Sequence, residues 1–314
     1  MNISARIKQK ALTLGFSICG IARARHLKEY EKVFREWCSA GMNSNMKWLC
    51  RDITKRFNPS LLVPGTRSVI VTGLNYFTRD IQAERDVPVV ARYALGTDYH
   101  KLLTSRLEAL LNFIRDLDPV AEGKVFCDSS YIAEKAWAVE AGLGWQGKNS
   151  LLINEKLGSF LFLGIILVNT ELEYDRPFTG EKCGKCRLCI DSCPAGAIND
   201  NRTINTLKCI SNLTIENREP LDEKLLNITG KRIFGCDICQ DVCPWNSNAI
   251  PHTIPELEIS REMKNLNLQG WKTMTGDDFK RLFFNTPVYR KGFNVFRKNI
   301  DIITGRGDKL LPEN

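Results

Sequence analysis

CGKCRLCIDSCP, residues 183–194, sets four cysteines in one short run, with a proline directly after the last. Thiols at that density serve a disulfide knot, a zinc site or an iron–sulfur cluster. The spacing Cys183-x2-Cys186-x2-Cys189-x3-Cys193-Pro194 matches the bacterial ferredoxin run. In that run three cysteines hold one 4Fe–4S cube and the fourth holds a second cube. A partner motif must then lie downstream, and GCDICQDVCPWN (235–246) supplies Cys236, Cys239 and Cys243 before Pro244. One ligand is still missing, and Cys209, in LKCISNLTIE (207–216), can fill the place. By the crossed pattern Cys183, Cys186, Cys189 and Cys243 hold one cube. Cys193, Cys209, Cys236 and Cys239 hold the other. Zinc ribbons use two C-x2-C pairs per metal, which fits runs ending in Cys-Pro poorly. The segment reads as a one-electron relay.

The 314 residues, 43% hydrophobic and 25% charged, suit one large or two modest globular domains. A net charge of +8 fits a polyanionic partner without proving one. MNISARIKQK reads as neither a secretory leader nor a twin-arginine signal. The strongest apolar run, FLFLGIILV (160–168), is far shorter than the roughly 18 residues of a membrane helix. It reads as a buried strand, and the expected location is the cytoplasm. Thiols stay reduced there, so disulfides are not expected. The cysteines outside the relay, Cys19, Cys38, Cys50 and Cys127, read as small buried hydrophobes.

Upstream, helices are predicted over about 2–14 and 27–40, and from the GTDYHK loop (96–101) to 117. In the last of these Leu103, Leu107, Leu110, Leu111 and Ile114 keep helical spacing. Another helix is expected over YIAEKAWAVEAGLG (131–144). Strands are predicted over 16–21, 68–74 and 124–128, with KNSLLIN (148–154) and SFLFLGIILVN (159–169) as a strand pair. The result is an α/β layer domain over 1–175, an iron–sulfur domain over 176–250 and a helical basic segment over 251–314. GLGWQG (142–147) follows a helix, not a strand, so it lacks the phosphate cradle of a dinucleotide fingerprint. His26, His100 and His252 are the only histidines, too few for a histidine-rich metal site. Asp98 and His100 stand where a helix begins, and Asp128 where a strand gives way to one. Each carboxylate reads either as a helix cap or as a catalytic group.

RYALGTDYHK (92–101), the Asp128 segment, AGLGWQGKNSLL (141–152), GSFLFLGIIL (158–167), the two cysteine runs and KCISNLTIE (208–216) resemble the motifs of the epoxyqueuosine reductase family. They keep that family's order, and the resemblance spans roughly residues 40–300. It implies a nitroreductase-like cobalamin-binding domain followed by a ferredoxin-like domain with two 4Fe–4S clusters. It also implies reduction of epoxyqueuosine to queuosine at the wobble position of transfer RNA, with electrons passing singly through the clusters to cobalt. Opening the epoxide and expelling its oxygen as water consumes two electrons and two protons. Asp128 resembles the family's proton donor, and Asp98 and His100 resemble residues lining the same site. Lys135 stands where the family usually has arginine; it keeps the charge and loses the bidentate fork. A donor at neutral pH wants a raised pKa. A helix N-terminus, and Lys135 one and a half to two turns along the expected helix, would lower it. Arg51, Asn149, Leu152, Leu163, Ser211 and Asp128 match the expected cobalamin contacts, with no protein histidine beneath cobalt. The implied partners are a transfer RNA anticodon arm and an external donor such as flavodoxin or ferredoxin, with no membrane and a monomeric chain.

VYRKGFNVFRKN (288–299) interleaves Arg290, Lys291, Arg297 and Lys298 with Tyr289, Phe293 and Phe296. It reads as phosphate contacts and base stacking on RNA, or as an ordinary helix with a solvated basic face. For the whole chain the alternatives are a corrinoid reductive dehalogenase, a ferredoxin-type electron carrier and a zinc-dependent RNA-binding module.

Overall fold

The computed structural model describes residues 2–84, 86–128, 130–217 and 227–305. The end of the 251–314 segment, from 306 onward, lies outside the described residues. In chain order the elements are α1 (Ile3–Thr13), β1 (Ile18–Arg23), α2 (Lys28–Ser39), α3 (Ile53–Phe57), β2 (Ser68–Asn75), β3 (Val89–Val90), α4 (Tyr99–Leu117) and β4 (Gly123–Phe126). Then come α5 (Glu134–Glu140), β5 (Trp145–Gln146), β6 (Leu152–Ile153), β7 (Leu161–Val168), α6 (Leu188–Asp191), α7 (Ile210–Ile215) and β8 (Arg232–Phe234). Short helices follow.

An antiparallel sheet of order β1-β2-β7-β4 carries the first domain. Antiparallel strands usually alternate apolar and polar residues, but β2 and β7 do not, because helices cover both sheet faces. Ile70, Leu74, Phe162 and Ile166 pack with Ile7 of α1 and with Leu103, Leu107 and Leu110 of α4. Val69, Val71, Ile165 and Leu167 pack on the other face with Ala136 and Trp137 of α5. The expected pairing of 148–154 with 159–169 does not form. β6 pairs with β5, while β7 takes β2 and β4 as neighbours. A long strand buried on both faces belongs at the centre of the sheet. The shorter β6 is held in its own hairpin, where the Asn154 side-chain amide donates to the Leu143 carbonyl at 2.7 Å.

A third core gathers Val90, Ile233, Phe234, Trp271, Phe279, Phe283 and Phe296. β3 pairs parallel with β8 inside it. The segment after 251 is therefore built into the body of the chain: Thr97 N–H donates to Glu256 O at 2.7 Å, and Asp98 N–H to Asn285 O at 2.6 Å. Phe296 is fully buried there, which corrects its expected role in stacking on RNA.

Cys38 and Cys50 form a disulfide, with a Cα–Cα distance of 5.9 Å. This corrects the expectation that both are isolated buried thiols in a disulfide-free chain. The end of α2 and the turn Lys47–Cys50 bring them together, and nothing in their spacing signals it. Cys127 is buried as expected, and Cys19 is partly buried. Among the described residues no helix is long and apolar enough to cross a membrane.

Candidate active site and cluster sites

The eight relay cysteines are all free thiols. Among the described residues, no three Cys, His, Asp or Glu side chains converge closely enough for a single ion. A cube spreads its thiolates wider than a lone metal does. The thiols that disfavour one another's charge fall into groups. Cys189 feels Cys243, Cys183 and Cys186, and Cys243 feels Cys183 and Cys186. Cys209 feels Cys193, Cys236 feels Cys209, and Cys239 feels Cys236 and Cys209. These are the two crossed sets, and Cys239 also feels Cys189, as adjacent sets would. Backbone N–H groups of Ser211 and Asn212 serve Cys209, and those of Trp245 and Asn246 serve Cys243. Such donors favour thiolates. The donor set fits two cubes.

Ser211 and Ile215, just after Cys209, and Phe234, just before Cys236, share the wall of a cavity of about 520 Å³. Tyr93, Tyr99, His100 and Asp128 line the same cavity, with Arg290 and Lys291 reaching it from the C-terminal segment.

Asp128 follows β4 in the left-handed region, at φ +54°, uncommon for a residue other than glycine. It does not cap α5, which begins at Glu134 with Ala133 as its N-cap residue. Instead, its Oδ2 accepts from the Tyr99 hydroxyl at 2.6 Å and from His100 Nε2 at 3.1 Å. His100 Nδ1 lies 2.8 Å from Asp98 Oδ1. A carboxylate only accepts, so both ring nitrogens donate and the ring is an imidazolium. Arg290 Nη2 stands 2.7 Å from the same Nδ1. That nitrogen's proton is committed to Asp98, so the approach is crowding rather than a hydrogen bond. Arg290 is held there by Asp98 Oδ2, to which it donates from Nε at 3.0 Å and also from Nη2. Asp98 is at once this anchor and the N-cap of α4, accepting the His100 backbone N–H at 3.1 Å.

These contacts set the protonation states. Burial pulls His100 down, but hydrogen bonds to Asp128 and Asp98 outweigh it and raise the pKa to about 9. Burial pushes Asp98 up, yet His100 and Arg290 hold it well below the usual carboxylate range. Burial also pushes Asp128 up, and hydrogen bonds from His100 and Tyr99 hold it below its ordinary value. Asp128 is lowered, as the sequence suggested, but chiefly by His100 and Tyr99 rather than by a helix N-terminus or Lys135. Lys135 is the second residue of α5 rather than nearly two turns along. It faces Glu134 and Asp128 electrostatically and makes no hydrogen bond among the described residues.

Glu134 was not singled out from sequence. Its Oε1 accepts the Asp128 backbone N–H at 2.6 Å. Enclosure by protein, with the Asp128 charge adding, pushes this carboxyl up to about 8. Its place beside Lys135 carried no signal of its own, because a glutamate opening a helix is ordinary.

Of the expected cobalamin contacts, Asp128 and Ser211 line the cavity. Asn149, Leu152 and Leu163 are buried, and none of them lines this cavity. The Asn149 amide already donates to the Cys239 carbonyl, at 3.4 Å. Arg51 is exposed, just after the Lys47–Cys50 turn. Three of the four expected RNA-binding cations have partners inside the chain. Arg290 is on Asp98, Lys291 donates to the carbonyls of Ile215 and Asn217, and Arg297 to those of Trp271, Lys272 and Met274. Lys298 is exposed.

Residues 182–246 match a 4Fe-4S double cluster binding domain, and residues 56–129 match the family described as epoxyqueuosine reductase QueG, DUF1730. An epoxyqueuosine reductase of Cellulophaga algicola is 37% identical over 297 residues, covering 95% of this chain and 96% of its own. The chain belongs to the epoxyqueuosine reductase family. The Pseudomonas aeruginosa member is 35% identical over 317 residues, 99% of this chain and 87% of that one. A crystal structure of epoxyqueuosine reductase with a tRNA-Tyr epoxyqueuosine-modified stem loop matches with TM-score 0.88 at 28% identity, over 95% of this chain and 80% of that one. So does the Bacillus subtilis reductase, solved with its catalytic aspartate loop swung out of the active site, at TM-score 0.88, 27% identity and the same coverage. The chain is thus an oxidoreductase of this family, a mixed α/β domain joined to a double-cluster domain.

Proposed function

We propose that the chain reduces epoxyqueuosine in transfer RNA to queuosine, with Asp128 passing a proton to the departing epoxide oxygen. Electrons would enter at a cube held by Cys183, Cys186, Cys189 and Cys243 and leave from one held by Cys193, Cys209, Cys236 and Cys239. One observation carries this order: Ser211 and Phe234, each two positions from a ligand of the second set, share a wall with Asp128. A cobalamin bound there would supply one-electron redox chemistry at cobalt for the reduction of the substrate carbon. Asp128 and Ser211 would hold it, with Arg51 and the backbone at Asn149, Leu152 and Leu163 as further partners.

Asp128 is ionised at rest, so the proton it delivers arrives through its own donors. His100 is protonated at neutral pH and hydrogen-bonded to Oδ2, which makes it the replenishing acid. Asp98 fixes that ring, and Arg290 is anchored beside it. Burial and the Asp128 charge keep the Tyr99 phenol neutral and donating. Lys135 adds positive charge beside both carboxylates.

The relative solved with a modified stem loop supports transfer RNA as the partner. The net charge of +8 agrees with it. The modified nucleoside flips out of the loop to reach the cavity. The same reading places a monomeric chain in the cytoplasm, fed by a flavodoxin or ferredoxin, with domains at 1–175, 176–250 and 251–314. Asp128→Asn, loaded with both clusters and cobalamin, is expected to turn over a modified stem loop about 10²–10⁴-fold more slowly. Its iron and cobalt content, by metal analysis, should match the parent. Full turnover would remove Asp128 from the reaction.

A further inference from the structure

We infer that Glu134 is a positioning residue, a latch that holds the Asp128 loop turned into the cavity. The inference rests on Asp128 being the group that meets the substrate. Glu134 opens α5, and the residues behind it, Ala136, Trp137, Ala138 and Val139, are buried against the sheet. Its carboxyl therefore projects from a fixed element. The loop it meets is held less firmly by its own geometry. Asp128 adopts φ +54°, a conformation that persists in a non-glycine residue only when its surroundings enforce it.

Tyr99 and His100 hold the carboxylate, and two further side chains hold the backbone. Arg56, buried among the carbonyls of Leu49 and Trp48, donates from Nη1 to the Ser130 carbonyl at 3.2 Å and so grips the far end of the loop. Glu134 takes the backbone N–H of Asp128 itself, at 2.6 Å. The Ser130 N–H donates to the Asp128 carbonyl at 2.9 Å. A backbone swing that carried Asp128 out of the cavity would have to break its N–H bond to Glu134.

The charges at the site suit this role. Asp128 is ionised, and a second carboxylate at 134 would repel it. Lys135 and His100 are the cations that offset this, and enclosure keeps the Glu134 carboxyl largely protonated at neutral pH. A neutral carboxyl still offers a carbonyl oxygen to the N–H. Glutamine offers the same oxygen in the same place. Alanine favours the helix and offers none.

The test compares Glu134→Ala and Glu134→Gln with the parent, each loaded with clusters and cobalamin. Two readouts are needed: kcat and KM on a modified stem loop, and hydrogen exchange of the segment 127–131. Glu134→Ala is expected to lower kcat about 100-fold with KM little changed. It should speed exchange in 127–131 while the rest of the chain keeps its protection. Glu134→Gln should restore both. Parental exchange or parental kcat in Glu134→Ala overturns the latch. So does a Gln variant as slow as the Ala variant, because the carboxylic proton would then matter and not the acceptor. Should alanine loosen the whole chain, Glu134→Asp, which withdraws the acceptor by one methylene, takes its place with the same expectations. If Asp128→Asn stays active while Glu134→Ala still frees the loop, the latch stands and the assignment of Asp128 falls.

Discussion

LCIDSCP (188–194) and ICQDVCP (238–244) are near copies, and each folds into a four-residue helix ahead of its Cys-Pro. Their surroundings are opposite. Around the first, Lys185, Arg187 and Leu188 are exposed, and Arg187 pairs with Asp191 at the surface. Around the second, Gln240 and Asn246 are buried. Gln240 donates to the Ser159 carbonyl at 3.1 Å, and Asn246 donates to the Ser159 hydroxyl at 2.9 Å while accepting its N–H at 2.7 Å. The Arg92 N–H adds a bond to Asp237 at 2.8 Å. Similar local sequence determines what each run binds. In the function proposed above, the environment would set its place on the path: the open run would receive electrons, and the braced run would hand them to the cavity.

The largest effect comes from removing a ligand on either side of this contrast. Cys239→Ala and Cys186→Ala should each lose about half the iron. With Cys239→Ala, turnover should fall to background with every reductant. With Cys186→Ala, turnover should vanish with a protein donor and partly return with dithionite, which is small enough to reach the inner cube directly. Equal rescue of both variants would break the proposed order.

The bracing itself is the next target. Asn246→Ala leaves the Ser159 hydroxyl and N–H short of partners in a buried site. The cost is about 1–3 kcal/mol, read as a melting temperature several degrees lower. Arg187→Ala, at exposed pairs with Asp191 and Asp200, should leave the melting temperature nearly unchanged. If both melt alike, the two runs are equally held and the contrast is only skin-deep.

A smaller effect follows from His100. Its folded-state pKa is raised, to about 9 from 6.5. Stability from its two carboxylate partners is therefore fully present below about pH 6.5 and is lost as pH rises through about 9. Thermal unfolding followed from pH 6 to 10 should show that decline, and His100→Gln should flatten it. An unchanged profile would mean that the ring is not an imidazolium.

How much of this could be read beforehand differs between the two ends of the molecule. The double-cluster domain was legible because a cube dictates short cysteine spacing, and residues 182–246 match one; which cysteines share a cube belongs to the proposal. The buried strand at 160–168 was legible too, yet its partners were not. A fully apolar strand announces burial but carries no register. Asp128 was singled out from sequence, while its φ and its backbone bond to Glu134 of α5 could not be. Those depend on Tyr99 and His100 of α4 meeting Glu134 of α5. The Cys38–Cys50 bond was hidden for the same reason.

The basic tail repeats the contrast between exposed and braced in miniature and offers the smallest effect. Arg297 and Lys298 are adjacent and carry the same charge. The Arg297 guanidinium is spent on the carbonyls of Trp271, Lys272 and Met274, while Lys298 is exposed. A cation that meets RNA phosphate releases counterions, and losing one contact lowers the salt slope of binding by about 0.7–0.9. Lys298→Ala should lower the slope by that amount and leave stability unchanged. Arg297→Ala should leave the slope alone and destabilise the chain by about 1–3 kcal/mol, because buried carbonyls lose their donor. Stem-loop binding between 50 and 200 mM salt separates the two. A slope change in Arg297→Ala would show that this guanidinium leaves its carbonyls for RNA, and bracing would then not protect a cation from the partner.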